Sequence, residues 1–162
     1  MHRVIFGCGA VLALLFSLTG CARSGGERQT PEASALARSL RAHGVDCTNF
    51  RPSHDLFEDS ELRSLGRCRV GSIEVDINTF ASREGRELFE HVHQGICPIA
   101  AMRDDPVTIL PYVRGDRFVV SVPNEVVGRD DEAGGAWRAL APRVARALGG
   151  EVATVDCPAL NA

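Results

Sequence analysis

Four cysteines in the body of the chain, Cys47, Cys68, Cys97 and Cys157, restrict its folding more than any other feature, because the stretch in front of them marks the chain for export. Residues 1–21 read MHRVIFGCGAVLALLFSLTGC: a short basic head at His2 and Arg3, then an apolar run from Val4 to Leu18. The run is shorter than the roughly 20 apolar residues that a helix needs to cross a bilayer, and it has the proportions of the apolar region of a secretory signal. Export places the body of the chain in an oxidising compartment, where an even set of cysteines reads as two disulfides. None of them stands at CxxC spacing, so a redox motif or a zinc knuckle is poorly supported. Three pairings are open to four cysteines. The expected one is Cys47–Cys68 with Cys97–Cys157, which joins sequence neighbours and fixes the C-terminal tail.

The residues that close the apolar run say more. Leu18-Thr19-Gly20-Cys21 places a small residue directly before a cysteine and a leucine three positions ahead of it. This tetrapeptide, behind a basic head and an apolar core, resembles the lipobox of bacterial lipoproteins. The resemblance implies diacylglycerol on the Cys21 thiol, cleavage after Gly20, and acylation of the new amino terminus, for example by palmitate. It also implies a protein held at the extracytoplasmic face of the cell membrane by lipid alone. The chain then divides into a signal peptide (residues 1–20), a flexible polar tether (residues 21–30, including ARSGGERQ) and one domain (residues 31–162). A polar coil of eight to ten residues spans about 15–20 Å, which keeps the domain close to the membrane surface.

Cleavage leaves 142 of the 162 residues, enough for one domain with a real core. The basic residues are all arginine, as expected from a GC-rich genome. The mature part carries 17 of them against 21 acidic residues, a formal net charge of −4. This weakly acidic balance gives no electrostatic reason to expect nucleic acid or anionic headgroups as partners.

Helical spacing places Ala33, Leu36, Ala37 and Leu40 on one face of a first helix, behind Thr30 as cap and Pro31 in its first turn. Gly44 is the expected left-handed stop, with Val45 folding back on Leu40. Residues 49–65 are polar and irregular, and read as a loop with a helical turn near 59–65. Residues 66–80 give the clearest strand signal: Ile73, Val75 and Ile77 alternate with Glu74, Asp76 and Asn78, and Gly71-Ser72 supplies a hairpin turn. Ser82 opens a second helix reaching Gln94, with Leu88, Phe89 and Val92 as its expected buried face. Residues 107–112 and 117–122 form a second hairpin pattern around Arg114-Gly115-Asp116. Residues 123–131 read as a loop. A third helix is expected over 132–148, with Trp137, Leu140, Ala141, Val144 and Leu148 inward and a kink or split at Pro142. Residues 152–157 read as a short strand or a stapled tail. The economical arrangement is α+β: an antiparallel sheet of two β-hairpins, with helices packed on one face and disulfide staples. In layout it is similar to small lipoproteins of high-GC actinobacteria, a resemblance that implies no catalytic residues.

Candidate chemistry is sparse. His91 and His93 stand two apart on a predicted helix and so point away from each other, which argues against a metal site. Arg114-Gly115-Asp116 is what a hairpin turn requires. Asp130-Asp131-Glu132 lacks the ligand spacing of a calcium loop and suits a helix start. Ser53, His54 and Asp55 are consecutive and form no triad by sequence contact alone. There is no GxSxG, HExxH, SxxK or phosphate-binding glycine loop, and no cofactor is expected. The sequence therefore reads as a non-enzymatic binding or interaction module of the cell envelope, its partner an envelope protein or a small ligand. The alternatives are a small enzyme or inhibitor with a site assembled from dispersed loops, and a lipoprotein that binds a small molecule or lipid.

Overall fold

The alternation over 66–80 forms a long antiparallel hairpin, and the rest of the fold is laid against it. The structure, a computed structural model, describes residues 32–53, 61–102, 107–123, 126–128, 131–155 and 157. The first half runs α1 (Ala33–Ala42), β1 (Cys47–Ser53), β2 (Leu62–Val70), β3 (Ile73–Phe80), α2 (Arg83–His93) and α3 (Ile96–Ala101). The second half runs β4 (Val107–Ile109), β5 (Tyr112–Arg114), β6 (Phe118–Ser121), β7 (Val126–Gly128), α4 (Glu132–Leu148) and β8 (Glu151–Ala153). Six strands form one antiparallel sheet in the order β1-β2-β3-β6-β5-β8, while β4 and β7 pair separately. The expected α+β fold, with its antiparallel sheet, packed helices and two disulfides, is present, but the helices do not share one face: α1 and α4 pack on one side of the sheet and α2 on the other.

Strand alternation decides what each face of the sheet carries. Cys68, Val70, Val75, Ile77, Val113 and Val120 point to one side, where they form the main core with Leu36 and Leu40 of α1 and Trp137, Ala141 and Val144 of α4. Trp137 is fully buried, and its indole N–H donates to the Pro111 carbonyl at 2.5 Å. The other side is charged toward β1 and β2, where Arg67 grips Asp76 through two hydrogen bonds of 2.6 and 3.1 Å. That hydrogen bond, then the Asp76 charge, raises the Arg67 pKa above its ordinary range. Farther along this side, Phe80, Tyr112 and Val119 form a second, smaller cluster that α2 covers through Phe89.

The ends of α1 show how local chemistry fixes its limits. Gly44 is left-handed (φ 75°), Val45 N–H reaches the Leu40 carbonyl at 2.9 Å, and Val45 is buried, as expected. At the other end Glu32 occupies the cap position without a side-chain hydrogen bond, and the Ala33 N–H donates instead to the Ser64 hydroxyl of β2 at 2.7 Å. The expected cap, Thr30, lies outside the described residues, as do Pro31, the tether and Cys21.

Several elements differ from the sequence reading. Residues 49–53 belong to β1 and residues 62–65 to β2, so neither the loop nor a helical turn holds there. β1 lacks alternation because it is an edge strand with one neighbour; a bulge between Thr48 and Arg51 contains Asn49 at φ 51°, which asparagine tolerates. Within the region read as the loop 123–131, Val126–Gly128 forms β7, which takes β4 as its partner and leaves β5 to pair with β6. α4 runs unbroken through Pro142. Pro142 lies on the exposed side, so water can serve the carbonyl that its missing N–H leaves free, and buried Trp137, Ala141, Val144 and Ala145 hold both halves to the sheet.

Both expected disulfides are formed: Cys47–Cys68 with Cα atoms 5.5 Å apart, and Cys97–Cys157 with Cα atoms 5.4 Å apart. They close loops with sequence separations of 21 and 60. Loop-closure entropy then assigns about 3 kcal/mol to the first and about 4 kcal/mol to the second. Urea unfolding of the paired alanine variants should show losses of that size, larger for Cys97→Ala/Cys157→Ala; a reversed order would show that strain or residual structure outweighs chain entropy.

Candidate functional site

Ser82 starts α2 by accepting the Gly85 N–H at 3.0 Å, an N-cap that satisfies a donor left free by helix geometry. The rotation of the helix about its axis is then set by Phe89. Its ring meets Phe80 at 5.2 Å between centroids and stacks on His93 at 5.0 Å, and His93 in turn meets Tyr112 edge-on at 6.3 Å. With Phe89 turned in, residues 86 and 90 must also face the sheet and residues 88 and 92 must face out. Leu88 and Val92 are accordingly exposed, while Arg86 is only 6% exposed. The buried face expected from the sequence is therefore right at Phe89 and wrong at Leu88 and Val92.

Arg86 is accommodated by a polar network. Its Nε donates to the Asp116 carbonyl at 3.2 Å, its Nη2 to Glu87 at 3.2 Å, and its Nη1 to the carboxylate of Glu90. Glu90 Oε2 also lies 3.5 Å from Arg114 Nη1, and Arg114 Nε donates to Glu151 at 2.7 Å. Arg83 Nε donates to the Asp116 side chain at 3.3 Å. These groups line a groove of about 510 Å³ between the start of α2, the β5–β6 turn and the end of α4. Three arginines face four carboxylates there, and the other lining residues are Gly115, Gly149 and Gly150. Gly150 is required by space: a Cβ would sit 2.5 Å from the Arg114 carbonyl oxygen.

Exposure divides the groove into floor and rim. The Arg86 and Glu90 side chains are 7% and 12% exposed, whereas Arg83, Glu87, Asp116 and Glu151 are each more than half exposed. The hydrogen bond to Glu151 raises the Arg114 pKa above its ordinary range, and the charge of Glu90 adds to it. Burial, then the Glu90 charge, raises the Tyr112 pKa. A ligand entering this groove would meet hydrogen-bonding charges of both signs, with no hydroxyl or thiol among the lining side chains.

The residues singled out in the sequence are dispersed. Cys47 and Cys68 bridge β1 and β2, and Cys97 ties α3 to Cys157. His91 is exposed and His93 lies in the aromatic row. Asp131 caps α4, accepting the Gly134 N–H at 2.7 Å, while Asp130 lies outside the described residues, as do His54 and Asp55. Arg114-Gly115-Asp116 does lead into a turn, but its two charged members also line the groove, a role the sequence reading missed. The available signal was the Arg86–Glu90 spacing of four on a helix. Among the described residues no group of three or more His, Cys, Asp or Glu could hold a metal ion, and no helix is long and apolar enough to cross a membrane. No protein-family model, curated protein or solved structure matches this chain.

Removing Arg86 takes the closest cation from the buried Glu90 carboxylate and leaves it the longer contact with Arg114. Arg86→Ala should cost about 3–5 kcal/mol in urea unfolding, and Arg86→Met with Glu90→Gln should recover most of it; equal losses in both variants would show that packing, not charge, dominates. Tyr112 is the only tyrosine in the chain, so its phenolate absorbance can be followed alone. Its titration midpoint should lie above the ordinary value of about 10 in the native protein and return to it in denaturant. The neutral phenol is the form favoured by folding. Its contribution is therefore complete below the unfolded pKa and is lost as pH rises through the folded one. Tyr112→Phe should flatten that alkaline loss.

Proposed function

We propose that this chain is a lipid-anchored, non-enzymatic binding module of the extracytoplasmic membrane face, with Cys21 as the acylated residue and the charged groove as its recognition element. The observation that carries the reading is the sequence Leu18-Thr19-Gly20-Cys21 behind a basic head and an apolar run. The two disulfides support it, because bridges of this kind persist in oxidising compartments and not in a reduced cytosol. The groove favours a small polar ligand over an apolar one, since paired guanidinium and carboxylate groups line it and no aromatic ring does. Its arginines are each paired with a carboxylate, while the buried Glu90 Oε1 has no hydrogen-bond partner among the described residues, an arrangement suited to recognition by exchange of partners.

Intact mass and membrane fractionation of the native protein beside Cys21→Ala test the anchor. The native chain should lack residues 1–20, carry acyl mass at Cys21 and partition with membranes, while the variant should carry no acyl mass. A native protein recovered soluble with an unmodified Cys21 would overturn the reading.

A further inference from the structure

The groove lies at the end of the domain where the chain enters it. Ala33, the first residue of α1, is bonded to Ser64, and Ser64 to Thr79; Thr79 is the register partner of Phe118, next to the β5–β6 turn that forms one wall of the groove. The polar tether expected from the sequence over residues 21–30 would, as a coil, span about 15–20 Å. On the anchoring reading, the lipid on Cys21 is joined to the domain at the end that carries the groove.

The charges of the groove define what it can take. A simple anion meets four carboxylates and a simple cation meets three arginines. A zwitterion satisfies both. The exposed pairs Arg83–Asp116 and Arg114–Glu151 are screened by water and contribute little, so a ligand that offers an anion to the guanidinium and a cation to the carboxylate can enter them at small cost. The buried Arg86–Glu90 pair stays in place beneath as the floor. The helix ends reinforce the polarity of such a ligand. The first turn of α2, beside Arg83, carries partial positive charge, and the last turn of α4, leading to Gly149, Gly150 and Glu151, carries partial negative charge. The cation should be a primary ammonium, whose N–H groups can donate to Glu151 and Glu87. A quaternary ammonium has no such donors, and the groove has no aromatic side chain to cage one.

We propose that the groove binds the phosphate and primary ammonium of an ethanolamine-type phospholipid headgroup, a second membrane contact beside the anchor. The inference rests on the anchoring reading for its choice of a lipid source. Tethering makes the contact intramolecular, so weak intrinsic affinity is sufficient.

The test uses the mature chain, residues 21–162, bearing Cys21→Ser. It contains every described residue and no lipid, so its result is independent of whether Cys21 is acylated. Calorimetric and NMR titration with glycerophosphoethanolamine should show saturable binding, with shifts at Arg83, Arg114 and Glu151. Glycerophosphocholine and inorganic phosphate should each bind at least about tenfold more weakly, as expected for the loss of a charge-assisted hydrogen bond. Arg83→Gln and Glu151→Gln, both at exposed positions, should each weaken binding by a similar factor while leaving the thermal midpoint in place. Vesicles containing phosphatidylethanolamine should retain the protein more than vesicles of phosphatidylcholine alone. Equal binding of the choline compound, equal binding of phosphate, or no binding would overturn the proposal. Binding of the free headgroup without vesicle retention would overturn its assignment to the membrane.

Discussion

A single buried hydroxyl governs how the helices enter this fold. Thr79 is fully buried near the end of β3, facing α1 and α4. An unpaired hydroxyl at that depth costs about 1–3 kcal/mol, so the surroundings must supply partners for it. It lies 3.3 Å from the Ser64 carbonyl, to which it can donate, and 2.7 Å from the Ser64 hydroxyl, where either oxygen can be the donor. The same Ser64 oxygen accepts the Ala33 N–H, so a side chain of β2 stands in for the cap that Glu32 does not provide. The next residue of β3, Phe80, points to the opposite face and holds Phe89 of α2. Two successive residues at the end of β3 thus position a helix on each side of the sheet, and the groove lies beyond them, between the start of α2, the β5–β6 turn and the end of α4.

This explains which parts of the fold were legible in the sequence. α1 was, because Ala33, Leu36, Ala37 and Leu40 are all apolar and all inward, and Gly44 ends the helix where a positive φ is needed. The β2–β3 hairpin was, because one side is core and much of the other is charged, which writes the strand period into the residue types. The orientation of α2 was not. Hydrophobicity alone places Leu88 and Val92 inside, but both are exposed, and a salt-bridged arginine takes the inner position. A buried ion pair is invisible to apolar periodicity because its members look like surface residues until each is seen to neutralise the other. β1 was missed for a related reason: an edge strand with a bulge and Pro52 has neither alternation nor a continuous apolar run.

The disulfides fasten an edge strand and a residue beyond the last strand to the rest of the fold. Among the described residues β1 has β2 as its only strand neighbour, and Cys47–Cys68 crosses that boundary diagonally, since Cys47 is opposite Val70 in register. Arg41 adds a hydrogen bond to the Cys47 carbonyl at 2.8 Å and so ties the same strand to α1. Cys97–Cys157 holds the chain beyond β8 to the short helix α3, across a sequence separation of 60. Position, more than number, makes these bridges useful: one crosses the outer boundary of the sheet, and the other joins residues far apart in the chain.

The groove follows from the same distribution of interior and edge. Burial keeps Arg86 and Glu90 together, because separating them would leave a charge in a site with little water. The pair is therefore a fixed reference, and Glu90 extends it to Arg114, whose guanidinium reaches outward to Glu151. Charge passes from a rigid floor to an exposed rim through one shared carboxylate. At the rim, each ion pair competes with water and can exchange partners at small cost. A surface of this kind is firm in shape yet open in its hydrogen bonding, which is the combination that recognition of a small polar group requires.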